Sequence, residues 1–164
     1  MMFRKMMWVS LCAVMLLLGA CGEKSEGNVA AVDLGELYSL ALDAYMPVDE
    51  GLNSGMKYIA IDMSNLKDLD AGDKQQILAH FKSYKVDVME ATYEQLEAKG
   101  LFNKNTLSLD GVLLKVEKAE LTAKQFVIEG SKYRSGDGAV GMRVVVKLKD
   151  GDWQVDKADM TWIS

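Results

Sequence analysis

Residues 140–149, VGMRVVVKLK, set the tightest limit on the fold. Val140, Met142, Val144, Val146 and Leu148 alternate with Gly141, Arg143, Val145, Lys147 and Lys149. A period of two with β-branched residues on one side predicts a strand with one buried face. Asp150-Gly151 follows as a hairpin turn signal, and Trp153 starts the returning strand. The period-two region begins near Leu109, where Val112, Leu114 and Val116 share a face, followed by Phe126 and Ile128. In the last strand Trp153 and Val155 are in phase, whereas Ala158, Met160 and Trp162 are one residue out of phase. This predicts a β-bulge near Asp156 and Lys157. It also predicts that Trp162 is buried with Ala158 and Met160.

Upstream the period is helical. Asp33 and Glu36 form a capping box ahead of Leu34, Leu37, Tyr38, Ala41, Ala44 and Tyr45, so Asp33 to Met46 is expected to be an amphipathic helix that Pro47 ends. Asp49 to Gly55 reads as a loop and Lys57 to Met63 as a short strand. Asp70 and Asp73 open a second helix carrying Ile77, Leu78, Phe81 and Tyr84. Val86 to Met89 is a second short strand. Thr92 and Gln95 cap a third helix, with Gly100 at its C-terminus. Helices followed by hairpin-linked strands predict an α+β domain over residues 33–164, its N-terminal helices packed on one face of a C-terminal antiparallel sheet. The order is similar to the cystatin-like and NTF2-like arrangements.

The first twenty residues have a separate logic. Arg4 and Lys5 precede an uncharged run from Met6 to Leu18, a length suited to a signal peptide. Leu18-Gly19-Ala20-Cys21 then resembles the lipobox of bacterial lipoproteins. The resemblance implies cleavage before Cys21, diacylglycerylation of its thiol, and a lipid-anchored location on the extracytoplasmic face of the cell membrane. Residues 1–20 are therefore expected to be a signal peptide and 21–32 a lipidated tether, which spans roughly 35 Å when extended. The later stretches GMKYIAIDMSNLKDL, EGSKYRSG and MTWIS resemble an uncharacterised group of small lipoproteins of Gram-positive bacteria, some of them labelled as transporter-associated.

Removing residues 1–20 leaves 164 − 20 = 144 residues, with 19 − 2 = 17 basic against 24 acidic side chains. A chain that acidic is repelled by nucleic acid and by anionic lipid alike, so its membrane attachment falls to the acyl chains. Cys12 leaves with the signal and Cys21 is acylated, so no disulfide is expected. The domain from about Ala31 is expected to fold as a soluble monomer without metal or cofactor.

Candidate chemistry is thin. His80 is the only histidine, and a zinc site needs several nitrogen or sulfur ligands. Ser54-Gly-Met-Lys57 and Ser64-Asn-Leu-Lys67 both fit S-x-x-K, but the S-D-N and K-T-G partners are missing from the sequence. Asp68, Asp70 and Asp73 hint at a calcium loop, and helix capping accounts for the last two without an ion. Lys132, Tyr133 and Arg134, set among Gly130, Gly136 and Gly138, form the candidate ligand or partner loop; its bland counterpart is a long hairpin connection with a solvated basic tip. The expected function is a non-catalytic binding or accessory domain with an envelope protein as candidate partner. The alternatives are a substrate-binding component of a transporter, or a small envelope hydrolase using Asp62, Asp87 or Glu90.

Overall fold

The computed structural model describes residues Val32–Ser164. The proposed signal segment and Cys21 lie outside the described residues. Three helices, α1 (Leu34–Asp43), α2 (Ala71–Phe81) and α3 (Tyr93–Ala98), accompany seven strands. These are β1 (Tyr58–Asp62), β2 (Asp87–Glu90), β3 (Phe102–Asn103), β4 (Ser108–Leu121), β5 (Gln125–Ser135), β6 (Gly138–Lys149) and β7 (Asp152–Ile163). One sheet joins them in the order β2-β1-β4-β5-β6-β7, with β3 pairing β4 separately.

The helices start where the sequence offers caps. The Asp33 carboxylate accepts the Glu36 amide at 2.8 Å. Asp70 and Asp73 exchange two bonds of 2.9 Å, and Thr92 and Gln95 do the same at 3.3 and 2.9 Å. α3 ends with Gly100 at φ +71°, the Leu101 amide reaching back to the Leu96 carbonyl.

The sheet is mixed, not purely antiparallel. β4 to β7 form the expected meander, but β1 pairs in parallel with both β2 and β4. Nor do the helices share one face. α1 and α2 cover the side bearing Ile59, Ile61, Val112, Leu114, Ile128 and Val144. α3 covers the other side, where Leu96 packs with Tyr58, Ala60, Leu109 and Leu113. A parallel link needs a crossover connection, and here the crossovers carry helices on both faces of β1. All five residues of β1 are consequently buried.

Asp150 at φ +54° and Gly151 at φ +97° form the β6–β7 turn, as the dipeptide predicts. A bulge does fall at Asp156, because Val145 pairs with Lys157 and Val146 with Val155. The structure then overturns the burial expected of Trp162. A second bulge at Thr161, between the pairs Gly141–Trp162 and Met142–Met160, returns the strand to its original phase. Trp162 therefore lies on the face opposite Met160, beside Gly141, and is 48% exposed.

Candidate functional site

β5 alternates its side chains across the sheet, and this separates the three residues of the candidate loop. They belong to a strand, not to a long connection: the chain turns only at residues 136–137, between β5 and β6. Lys132 and Arg134 point to the α1 side, whereas Tyr133 points to the α3 side with Leu113, its partner across the ladder.

Lys132 is fully buried rather than solvated. Its ammonium lies under the segment that follows α1; the helix expected to run to Met46 and end at Pro47 stops instead at Asp43, and tight turns follow in which the Met46 and Val48 carbonyls have no helical amide partner. Nζ donates to the carbonyls of Met46 (3.1 Å), Val48 and Asp49 (3.1 Å) and to Asn53 Oδ1 (3.2 Å). Asn53 in turn donates to the Met46 carbonyl at 2.7 Å. Arg134 Nη1 donates to the Leu52 and Ser54 carbonyls at 2.9 and 3.0 Å, so two cations from one strand hold the whole segment. Desolvation pushes the Lys132 amine down to about 8, partly offset by the negative charges of Asp49 and Glu50. On the other face the Tyr133 hydroxyl donates to the Leu107 carbonyl at 2.8 Å. All three side chains therefore bind this chain's own backbone. Asn53 and the carbonyls around it complete the Lys132 cage, and their only sequence signal was the polar loop that follows Pro47.

A cleft of about 330 Å³ opens at the other end of α1. Tyr38 and Phe126 pack edge to face at 4.9 Å in its wall, beside Leu34 and Leu121. Lys67, Asp68, Glu117 and Lys118 line its rim with balanced charge. Burial, with Asp68 adding to it, raises the Tyr38 hydroxyl above its ordinary value.

The remaining candidates are dispersed. His80 Nε2 is 3.5 Å from Asp43 Oδ1, which also accepts the Tyr84 hydroxyl at 2.7 Å. Lys57 of the first S-x-x-K pairs with Asp110 at 2.8 Å, and the Ser64 backbone amide that opens the second donates to Asp62 Oδ1 at 2.9 Å. Asp70 and Asp73 are spent on their capping box, and Asp73 also accepts the Gly35 amide at 3.2 Å. Asp87 stands opposite Tyr58 at one end of β1, with Asp62 at the other end on the same face; Glu90, opposite Ile61, points to the α2 side and pairs with Lys74 at 2.7 Å. These three carboxylates do not converge. Among the described residues no group of three metal-binding side chains is assembled, and no helix is long and apolar enough to cross a membrane.

Exposed apolar side chains concentrate on the free edge strand, where Val155 (41%), Met160 (51%), Trp162 (48%) and Ile163 (66%) all lie on β7. Comparison with known proteins gives no match: no family model, no curated protein and no solved structure corresponds to this chain.

Proposed function

We propose that this chain is a lipid-anchored extracytoplasmic protein whose single α+β domain acts as a non-catalytic binding or accessory module. The observation that carries the anchor is Leu18-Gly19-Ala20-Cys21 behind an uncharged run with Arg4 and Lys5 in front of it. Support for a binding role comes from the cleft of about 330 Å³ at one end of α1, whose apolar wall of Leu34, Tyr38, Leu121 and Phe126 under a charged rim suits a ligand or a partner segment. The candidate partner is an envelope protein. The excess of acidic side chains beyond residue 20 argues against nucleic acid. In its finer architecture, the part comparable to a cystatin-like or NTF2-like arrangement is α1 lying across the β4–β7 meander.

Detergent phase partitioning tests the anchor. The full chain is expected in the detergent phase, and Cys21→Ser is expected to accumulate as uncut precursor without acylation. Recovery of a shortened, detergent-bound Cys21→Ser chain would refute the lipoprotein assignment.

A further inference from the structure

The last strand of the sheet can pair with itself. β7 is the terminal strand in the order, so among the described residues one side of its backbone has no ladder partner. Its two bulges, at Asp156 and Thr161, lie on either side of Ala158. Trp153 and Ile163 stand equally far from Ala158, and each is reached across one bulge. An antiparallel copy centred on Ala158 therefore regains its register at both ends of the strand, since each chain gains one extra residue on each side; Val155 against Met160 of the copy is the one pair that falls between the two bulges.

The side chains fit this register. Lys157 and Asp159 flank Ala158 on one face, opposite Val145 and Arg143, and in the single chain they pair with each other at 2.7 Å. Two-fold pairing sets Lys157 against Asp159 of the copy and Asp159 against its Lys157, a ring of alternating charge about the axis. On the other face Trp153, opposite Leu148, meets Ile163, opposite Val140. Ile163 is 66% exposed in the single chain, and that contact covers it at both ends of the paired strands.

We propose that β7 is the interface for a second copy of this chain, which joins two sheets by antiparallel β7–β7 pairing about Ala158. Bulges and charges usually protect an edge from such pairing; here they are placed so that one self-complementary register remains. The pair is closed, since it uses up the long edge and leaves, among the described residues, only the short edges of the four-residue β2 and the two-residue β3 in each sheet. An axis normal to the sheet keeps both α1 helices on the same side. The pairing replaces the soluble monomer that the sequence suggests, and it does not rest on lipidation.

Disulfide capture in the full chain tests this. Antiparallel partners lie about 4.5–5.5 Å apart between Cα atoms, within disulfide range. Ala158→Cys is expected to give a cross-linked dimer at least tenfold above the unsubstituted chain, which sets the background. Gln154→Cys would stand roughly 25 Å from its own copy and is expected to remain at background. In the Ala158→Cys chain, adding Lys157→Asp is expected to lower the yield about fivefold, and adding Asp159→Lys as well is expected to restore it. Equal yields at positions 154 and 158, capture of a different protein, or no restoration by the second charge reversal would overturn the proposal. Sedimentation equilibrium of the unsubstituted chain in detergent gives an independent reading: twice the single-chain mass supports the pairing, and a single-chain mass at about 100 μM refutes it. The same cross-links are expected in the Cys21→Ser chain, so failure of the anchor and failure of the interface are separately visible.

Discussion

The two ends of the sheet show opposite solutions to burying a strand. Beside the β2 edge, β1 lies between α2 and α3 with a strand on each side, and every residue of Tyr58–Asp62 is buried. At the other end β7 carries Trp153, Val155, Met160, Trp162 and Ile163, yet nearly all of its residues remain exposed, because among the described residues it has a strand on one side alone and α1 meets only part of it. Apolar content alone therefore does not decide burial. A strand is buried when elements cover both its faces and both its edges, and an edge strand that a helix only partly covers keeps its apolar side chains in contact with solvent.

The largest expected effect lies at the covered end. Ile61→Ala removes a fully buried side chain from the α1–α2 core and should cost about 3–4 kcal/mol, whereas Val155→Ala on the open strand should cost less than about 1. Urea unfolding of the two variants measures the contrast, and equal losses would mean that the ends do not differ in this way.

Lys132 gives the next effect. Lys132→Met leaves the Met46, Val48 and Asp49 carbonyls and the Asn53 amide without their shared donor, an expected loss of about 2–3 kcal/mol at neutral pH. Its pH dependence has a defined sign. The folded amine titrates at about 8, below its ordinary 10.5. Between those values the unfolded chain holds the proton that the folded chain has released, so stability rises with pH, by about 1.4 kcal/mol per unit at most. The charged amine's burial penalty is fully present below pH 8. Above about pH 10 the buried Tyr45 hydroxyl and the half-buried Tyr84 hydroxyl act in the opposite direction, since desolvation, with the bond to Asp43 adding to it at Tyr84, raises both in the folded chain and the unfolded tyrosines ionise first. Unfolding free energies measured from pH 7 to 11 should climb and then fall, and Lys132→Met should remove the climb alone.

The smallest effect is spectroscopic. A Cβ at Gly141 would stand 2.1 Å from the Trp162 indole nitrogen, so Gly141→Ala should displace that ring into solvent. In a Trp153→Phe background, acrylamide quenching of Trp162 should increase, with stability changed by less than about 1 kcal/mol. Unchanged quenching would show that the indole does not depend on the glycine.

Much of the fold was legible from local pattern. Asp33, Asp70 and Thr92 mark the helix starts, Gly100 a helix end, Asp150-Gly151 the last hairpin and Asp156 the first bulge, because each is satisfied by neighbours within a few residues. The candidate site was less legible. Lys132-Tyr133-Arg134 has the same composition whether it forms a basic loop tip or a strand, and nothing near it in sequence supplies the acceptors. Those of Lys132 and Arg134 come from residues 46–54, some eighty positions away, and that of Tyr133 from Leu107 on the opposite face.

By itself, then, the sequence determined the period changes, the caps, the turns and the lipobox pattern, all of them short-range features set by steric preference and local hydrogen bonding. Tertiary structure decided which strands run parallel, which face α3 covers, that Lys132 is caged, and that Trp162 turns outward at a second bulge. The physical reason is that burial depends on which layer lies above a residue. That layer comes from distant parts of the chain, so a pattern read within ten residues cannot contain it.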